Sequence, residues 1–291
     1  MIDFDPTLVL ISISKRLFFV IGENHQGKQR RLNKIIRNST GRSLVIAVDH
    51  GMALGAMSGI VDIRKTINDL DATGLIDCWL MTKGIYSNAF DPAGDPGVIL
   101  RASGGATIAG PELVNEGLTA TVEEALQLGV DCVATSAFVG SDFEHKTLIN
   151  MAALATQCRK WDVPMLGVIG LGKTNEDKKK DPKFIALGAR LGVEHGADII
   201  KTYYTETDFD KVVAGCPVPV LIAGGPKCET DLDTLEMIHG ALQGGASGIV
   251  MGRNVWKSPN SVALLSAVHG LIHENMSVKE ANQLLEEKKL G

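Results

Sequence analysis

The sequence predicts an α/β fold, a (β/α)8 TIM barrel with an N-terminal extension and an extra C-terminal helix. From Ser43 onward, eight short aliphatic runs alternate with amphipathic helical stretches, an order typical of a closed parallel sheet surrounded by helices. The 291 residues suit one barrel of roughly 250 residues plus extensions. Hydrophobic residues make up 45% of the chain and aromatic residues only 5%, so the core should be mostly aliphatic, as buried parallel strands require.

The N-terminal stretch is predicted separately from the barrel. Residues 8–22 are strongly apolar, but a Lys-Arg pair interrupts them and acidic residues precede them. The uninterrupted runs are far shorter than the about 20 residues that cross a bilayer, and the preceding charge is wrong for a signal peptide. We expect residues 1–26 to be an extension of uncertain order, which packs on the barrel or on a neighbouring subunit or has no fixed structure. Residues 27–291 should form a single barrel domain.

Each predicted strand is a short aliphatic run. The runs are SLVIAVDH from Ser43, CWLMTK from Cys78, GVILRAS from Gly97, DCVATSAF from Asp131, PMLGVIG from Pro164, ADIIKTYY from Ala197, PVLIAGG from Pro219 and SGIVMGR from Ser247. Capping boxes, in which a hydroxyl and a glutamate satisfy the first helical turn, are predicted at Thr121 to Glu124 and at Ser141 to Glu144. A third box, Ser277 to Glu280, should open the C-terminal helix.

Charge and cysteine usage limit the class of protein. The net charge is −5 and the largest basic cluster is Lys178-Lys179-Lys180, so no nucleic-acid-binding face is expected. Five scattered cysteines without a CxxC pair indicate a reduced, cytoplasmic protein. No metal site is expected either, because the one close histidine pair, His269 and His273, lacks the HExxH pattern.

Lys201 is the most unusual residue of the predicted strands, because it interrupts the apolar run ADIIKTYY. Burial of a charged amine is costly, so the pKa of the amine falls and a neutral nucleophile results. A Schiff-base lysine needs that state. The alternative is a lysine at the strand end that reaches solvent or pairs with Glu206.

Asp49 follows the first predicted strand, in the sequence Asp49-His50-Gly51. A carboxylate near the lysine can relay protons to and from a carbinolamine; the alternative is an aspartate that caps the next loop. His50 would point elsewhere if the strand continued, so we expect it to be structural.

Other polar residues follow the second and third predicted strands. In (β/α)8 barrels the reactive groups lie at the C-terminal ends of the strands, which would bring Lys83, Arg101 and Ser103 to the same mouth as Lys201 and make them candidate substrate-binding residues. Lys83 would lower the pKa of Lys201 by charge repulsion, bind an anion or remain a solvated loop lysine.

Glycine-bearing loops follow the last two predicted strands. They contain Gly224 and Gly225 in one loop, and Gly252 and Arg253 in the other. Glycines let backbone N–H groups approach an anion, and these two loops often bind phosphate in barrels. Arg253 would add a bidentate partner. The alternative is that the glycines only make tight turns.

Together the motifs resemble the class I aldolases of the archaeal and bacterial type, over about residues 27–289. The shared motifs are DHG at Asp49, IIKTYY around Lys201, AGCPVPVLIAGGPK from Ala214 and GASGIVMGRN from Gly245. The resemblance implies that Lys201 forms the Schiff base, that Asp49 handles protons, and that the glycines and arginine of the last two loops hold a phosphate. It also implies a homo-oligomer, with decameric rings among the family members.

One position departs from the true aldolases of this family. They carry a Tyr-Pro-Arg-Gly motif after the fifth strand, with the tyrosine as acid/base, whereas this chain has Gly170 within VIGLGK. This replacement, RASG at Arg101 and GSDFEH around Ser141 are similar to the bacterial thiolases that end autoinducer-2 breakdown. Those enzymes pass an acetyl group from a phosphorylated dione to coenzyme A.

Three functions are therefore compatible with the sequence. The leading one is lysine-dependent cleavage of a carbon–carbon bond in a short phosphorylated keto-sugar or dione, with acetyl transfer to coenzyme A as co-substrate and no bound cofactor. The second is a Schiff-base aldolase of the fructose-bisphosphate type. The third is a barrel that binds a phosphosugar without turning it over. The expected partner is a phosphorylated small molecule, with neither nucleic acid nor membrane.

Overall fold

Eight parallel strands close into a barrel in the computed structural model, which describes residues 25–290 without the side chains of residues 173, 174 and 176. In chain order the strands are β1 (Ser43–Ala47), β2 (Cys78–Met81), β3 (Gly97–Arg101), β4 (Ser103–Gly104), β5 (Gly117–Leu118), β6 (Cys132–Val139), β7 (Met165–Leu171), β8 (Ile199–Tyr203), β9 (Val220–Ala223) and β10 (Gly248–Met251). The barrel order is β1-β10-β9-β8-β7-β6-β3-β2. All eight predicted strands, and the predicted fold class, are confirmed. The antiparallel hairpin of β4 and β5 was not predicted.

Helices follow most of the strands and surround the barrel. They are α1 (Gln26–Ile35), α2 (Gly51–Leu54), α3 (Ile63–Asp71), α4 (Lys83–Ala89), α5 (Val122–Gln127), α6 (Glu144–Lys160), a 3₁₀ segment (Lys173–Lys180), α7 (Pro182–Glu194), α8 (Phe209–Ala214), α9 (Asp231–Gln243), α10 (Arg253–Trp256), α11 (Ser261–His273) and α12 (Val278–Leu290). The extra C-terminal helix is α12. Between residues 25 and 290, no helix is long and apolar enough to cross a membrane.

The three predicted capping boxes have different outcomes. The box at Ser277 to Glu280 forms completely, with a backbone N–H of each residue donating to the side chain of the other. The box at Thr121 to Glu124 forms only in part, because the Glu124 carboxylate binds Lys83. The box at Ser141 to Glu144 is wrong, because the Ser141 hydroxyl donates to the Phe138 carbonyl at 2.8 Å and α6 starts at Glu144 instead.

Successive side chains along each strand point alternately into the barrel and toward the helices, which gives two hydrophobic cores. One set of residues fills the barrel interior as a single buried cluster that includes Val45, Cys78, Ile99, Cys132, Ala134, Leu166, Ile199, Leu221 and Val250. Their strand neighbours belong to a second cluster that packs against the outer helices. Leu32 and Ile35 of α1 join the interior cluster, so α1 closes the N-terminal end of the barrel. The opposite, C-terminal end remains as the mouth.

The predicted N-terminal extension of residues 1–26 lies outside the described residues, apart from its last two. Gln26 already belongs to α1, and His25 binds Asp162 through its Nδ1 atom at 2.6 Å. The division of the chain at residue 26 therefore stays a prediction.

Candidate active site

Strand alternation brings the predicted catalytic pair into the mouth. Ala47 and Ile199 belong to the interior cluster, and side chains two residues apart on a strand share a face. Lys201 lies two residues beyond Ile199, and Asp49 lies two residues beyond Ala47. The charge of each alters the pKa of the other, so the two groups are close inside the barrel.

The Lys201 amine is poised to act as a nucleophile. Burial lowers its pKa to about 8, and the positive charges of Arg101 and Arg253 act in the same direction, against the opposing effect of Asp49. Its side chain makes no hydrogen bond or ion pair with the described residues, and Glu206, the alternative partner, pairs with Lys180. At neutral pH a useful fraction of the amine is uncharged, as Schiff-base formation requires.

Asp49 is a buried carboxylate that stays ionised. Burial alone would raise its pKa, but the positive charges of Arg101 and Lys201 are the main effects that outweigh burial and lower it. The Arg101 Nη1 atom donates to Asp49 Oδ2 at 3.1 Å. Asp49 can therefore accept a proton close to the lysine.

Arg101 is the centre of a buried polar network. Its Nη2 atom donates to both Glu116 oxygens at 2.8 Å and to Ser136 Oγ at 2.6 Å, and its Nε donates to the Ser103 carbonyl at 3.0 Å. The Ser103 hydroxyl donates to Glu116 Oε2 at 2.7 Å. Arg101 thus lies beside Asp49, and Ser103 is joined to it through Arg101 and Glu116, so the described hydrogen bonds of both residues go to protein groups.

Two buried partners of Arg101, Glu116 and Ser136, were not predicted from the sequence. Glu116 precedes β5 in a loop, where a glutamate is ordinarily solvated, yet it is buried against Arg101. Ser136 lies two residues beyond inward-facing Ala134, so strand alternation alone would have placed it in the mouth.

His50 lies closer to the site than expected. The Val48 N–H still donates to the Leu80 carbonyl, but His50 has helical backbone angles and a short helix begins at Gly51, so the alternation that would have turned His50 away does not reach it. Its Nδ1 atom lies 3.5 Å from Asp49 Oδ1 and its ring meets Trp256 edge-on, with centroids 5.5 Å apart. Burial lowers its pKa to about 4, so His50 is neutral at physiological pH.

The loops after β9 and β10 are joined into one unit. The Asn254 amide donates to the Gly224 carbonyl at 2.7 Å and its oxygen accepts from the Cys228 N–H at 2.8 Å. Gly225 has a φ of +63°, which favours glycine. At Gly252 a Cβ atom would lie 2.5 Å from the Ala47 carbonyl oxygen, so only glycine lets the loop pass this close to β1. Asn254 was not predicted.

Arg253 carries an unsatisfied donor. Its Nε is buried and has no hydrogen-bond partner within the described part of the chain. Such a group is costly unless something accepts from it. An anion bound by the loops after β9 and β10 would supply the acceptor. The charge of Arg253 lowers the pKa of Lys201, so such an anion would also lie near the lysine.

Lys83 does not join this group of charges. Its ammonium binds both Glu124 carboxylate oxygens, at 2.9 and 3.1 Å, and nearly half of its side chain is exposed. The cations that lower the pKa of Lys201 are Arg101 and Arg253. Among the residues from 25 to 290, no three metal-ligating side chains are grouped to hold a metal ion.

Gly170, where the true aldolases carry tyrosine, faces an aromatic ring. It pairs with Phe138 across β6 and β7. Phe138 lies four residues beyond Ala134, and Gly170 four beyond Leu166, so both face the barrel interior as those two residues do. A Cβ on Gly170 would lie 2.8 Å from Phe138 Cδ1. The position therefore offers an apolar ring edge and no proton donor.

Known proteins match the chain over most of its length. A family model described as DeoC/LacD family aldolase matches residues 43–258. A 3-hydroxy-5-phosphonooxypentane-2,4-dione thiolase from Enterobacter sp. (strain 638) is 40% identical over 265 residues, or 91% of this chain and 88% of that protein. Its namesake from Photorhabdus laumondii is 38% identical over 258 residues, or 89% of this chain and 86% of that protein.

Solved structures match as well. A Schiff-base-forming fructose-1,6-bisphosphate aldolase is 29% identical, with a TM-score of 0.77 and coverage of 84% of this chain and 100% of that one. An archaeal fructose-1,6-bisphosphate aldolase, with its catalytic lysine bound to the carbinolamine intermediate of the substrate, is 29% identical, with a TM-score of 0.76 and coverage of 84% and 99%. These matches are to enzymes, which argues against a barrel that only binds a phosphosugar. The chain belongs to the DeoC/LacD family of class I aldolases.

Proposed function

We propose that the protein uses Lys201 to cleave a carbon–carbon bond in a short phosphorylated dione and passes the released acetyl group to coenzyme A. The observation that carries the proposal is an amine with a pKa of about 8 beside an ionised aspartate, inside the mouth of the barrel. The names of the relatives at 40% and 38% identity support the choice of a 3-hydroxy-5-phosphonooxypentane-2,4-dione as substrate.

The first step is attachment of the substrate to the lysine. The neutral Lys201 amine adds to the carbonyl next to the phosphate-bearing carbon, and loss of water from the carbinolamine gives an iminium ion. Asp49 accepts and returns the protons of these steps over a short path. The iminium ion then serves as the electron sink for cleavage.

The second step is acyl transfer. The thiol of coenzyme A gives its proton to Asp49, which later returns it to the enamine carbon, and the thiolate adds to the other carbonyl of the dione. Collapse of this adduct breaks the bond to the central carbon, releases the acetyl thioester and leaves the electron pair as an enamine on Lys201. Protonation of the enamine carbon and hydrolysis of the iminium ion release the phosphorylated ketone and regenerate the amine.

The phosphate is assigned to the loops after β9 and β10. Gly224, Gly225 and Gly252 would present backbone N–H groups, and the unpartnered Nε of Arg253 would donate to a phosphate oxygen. We propose that Arg101 and Ser103 serve the substrate by fixing Asp49 and lining the mouth. Lys83 would bind an anion only after its ion pair with Glu124 opens.

The second candidate is a Schiff-base aldolase of the fructose-bisphosphate type. The solved aldolases at 29% identity favour it. In that reaction a base must take a proton from a substrate hydroxyl, and such a group contributes about 10²–10⁴-fold in rate. Phe138 and Gly170 provide no such group, so Asp49 or a water would have to act. Cleavage of fructose 1,6-bisphosphate is therefore the less favoured reaction.

A product assay separates the two candidates. The protein is incubated with the phosphorylated dione or with fructose 1,6-bisphosphate, each with and without coenzyme A, and the thioester and ketone products are measured. The proposal expects acetyl-coenzyme A from the dione, and turnover that rises by orders of magnitude when coenzyme A is added. Cleavage of fructose 1,6-bisphosphate at about 1 s⁻¹ or faster without coenzyme A would reject the thiolase and establish the aldolase.

The cellular setting is part of the proposal. We place the enzyme in the cytoplasm as a homo-oligomer, with a phosphorylated small molecule as its partner and no bound cofactor. The five cysteines without a CxxC pair support a reducing compartment. Light scattering of the purified protein would test the oligomer, and a monomeric mass would contradict it.

A further inference from the structure

The order of the strands around the barrel would place the two ends of a bound substrate on opposite sides of the mouth. Around the closed sheet, β6 lies four strands from β10 in either direction, and β8 lies two strands from each. The loop after β10 carries Arg253, and β8 carries Lys201. A substrate with its phosphate on Arg253 and its carbonyl on Lys201 therefore directs its remaining end toward β7 and β6.

Phe138 occupies that side of the mouth. On β6, Ala134 belongs to the interior cluster and Ser136 binds Arg101, so Phe138 is the next inward-facing side chain toward solvent. Its backbone N–H donates to Thr147 Oγ1 at 3.2 Å, and its carbonyl accepts from Ser141 Oγ at 2.8 Å. These bonds fix the residue at the end of the strand.

Gly170 leaves the space beside Phe138 for the ring. The two residues are register partners, and a Cβ on Gly170 would meet Phe138 Cδ1 at 2.8 Å and Cε1 at 2.9 Å. One inward position below Gly170, Val168 is the register partner of Lys201. Phe138 remains partly exposed, so the ring and Val168 form an apolar wall on the side of Lys201 away from Arg253.

We propose that Phe138 determines specificity for the substrate end remote from the phosphate, by admitting a short apolar acyl group and excluding longer or phosphorylated ends. The inference rests on the proposed function and adds to it the residue that selects the acyl group. An apolar ring gives no partner to a hydroxyl or phosphate, whose burial without a hydrogen bond is costly. The same ring limits length, because it fills the space toward which the acyl chain would grow.

The test uses homologues of the phosphorylated dione in which ethyl or propyl replaces the terminal methyl group. The measured quantity is the ratio of kcat/KM for the methyl compound to that for the propyl compound, with coenzyme A present. One methylene in a tight apolar pocket changes kcat/KM by about 10–200-fold. Phe138→Ala should therefore lower the methyl-to-propyl ratio by at least about tenfold relative to the wild-type protein, and Phe138→Leu should lower it less.

Phe184→Ala is the matched control. Phe184 is also partly buried, but it packs against the outer core cluster and not inside the barrel, so its replacement should leave the ratio unchanged. If Phe138→Ala does not fold, Phe138→Leu is judged by the same ratio. Ratios within twofold of wild type for both Phe138 variants, or an equal change in Phe184→Ala, would overturn the inference.

Different measurements test the role of Phe138 and the proposed function: the wild-type protein tests the function, and the Phe138 variants test the role of Phe138. Absence of thioester from every dione in the wild-type protein would overturn both. Thioester formation by the wild-type protein, combined with an unchanged chain-length ratio in the Phe138 variants, would overturn only the role of Phe138.

Discussion

At the scale of single residues, the reactivity of Lys201 depends on the charges around it. Burial, Arg101 and Arg253 lower its pKa to about 8, whereas Asp49 raises it. Below pH 8 the neutral fraction should therefore rise about tenfold per pH unit, and labelling of the lysine should rise with it. Peptide mass spectrometry after reaction with a small uncharged acylating reagent measures this rate without requiring phosphate binding.

Substitutions of the neighbours should shift the midpoint of the labelling curve in opposite directions. Arg253→Ala removes a charge that lowers the pKa of Lys201, so the midpoint should move up. Asp49→Asn removes a charge that raises the pKa, so the midpoint should move down, although turnover should fall because a proton carrier is lost. Shifts of the same sign in both variants would contradict this electrostatic account.

The sequence was informative where one residue conflicted with its own neighbours. A lysine within ADIIKTYY is conspicuous because its charge contradicts the strand, and it does lie in the mouth. Glu116 is not conspicuous, since nothing in its loop distinguishes a buried carboxylate from a solvated one. Its burial depends on Arg101, which is 15 positions away in the chain, and such long-range pairing leaves no local pattern.

At the scale of secondary-structure elements, Asn254 determines the shape of the proposed phosphate site. It is almost fully buried and joins the loop after β9 to the start of α10 through two hydrogen bonds. Asn254→Ala leaves the Gly224 carbonyl and the Cys228 N–H without this partner, which should lower the free energy of unfolding by about 1–3 kcal/mol per group. The KM for a phosphorylated substrate should rise.

Asn254→Asp is the matched variant for this element. An aspartate still accepts from the Cys228 N–H, but it cannot donate to the Gly224 carbonyl and it places a buried negative charge beside the proposed phosphate site, so the loss of stability and the rise in KM should both exceed those of Asn254→Ala. Urea unfolding and steady-state kinetics with phosphorylated and dephosphorylated substrates measure them. An equal rise in KM for both substrates would show that these loops do not recognise phosphate.

Strand positions were predicted more reliably than helix starts. Each barrel strand is a short aliphatic run that can be buried only in a sheet, so its position follows from the residues themselves. A helix start depends on competing side-chain partners. The Ser141 hydroxyl finds the Phe138 carbonyl and the Glu124 carboxylate finds Lys83, and local sequence does not reveal either competitor.

At the scale of the whole molecule, the Arg101 network links the barrel to the β4–β5 hairpin. Arg101 lies between the buried carboxylates of Asp49 and Glu116. Arg101→Leu would leave both carboxylates without their counterion, and the loss of one partner from a buried ion pair costs about 3–5 kcal/mol. Urea unfolding at pH 7 should show a loss of this size.

The loss should depend on pH with a definite sign. The pKa of Asp49 is lowered in the folded protein, so its contribution to wild-type stability is present above the unfolded pKa of about 3.9 and disappears as pH falls through the lowered value. In Arg101→Leu, protonation instead relieves the uncompensated charge. The difference between the two proteins should therefore shrink at acid pH. Lys83→Ala, which breaks an exposed ion pair, should cost less than about 1 kcal/mol at both pH values.

The overall architecture could be predicted because eight aliphatic runs in series admit few other folds. The substrate side opposite the phosphate could not be predicted with the same ease. Phe138 is one more apolar residue in DCVATSAF, and its position beside Gly170 becomes apparent only when β6 and β7 are paired.

The proposed reaction depends on a Schiff base between Lys201 and a phosphorylated ketone. The most direct measurement is the mass of the peptide that contains Lys201 after incubation with dihydroxyacetone phosphate and borohydride. We expect a reduced adduct on this lysine alone, its loss in Lys201→Ala together with loss of turnover, and its persistence in the control Lys83→Ala. A wild-type peptide without adduct, combined with full turnover by Lys201→Ala, would contradict the account.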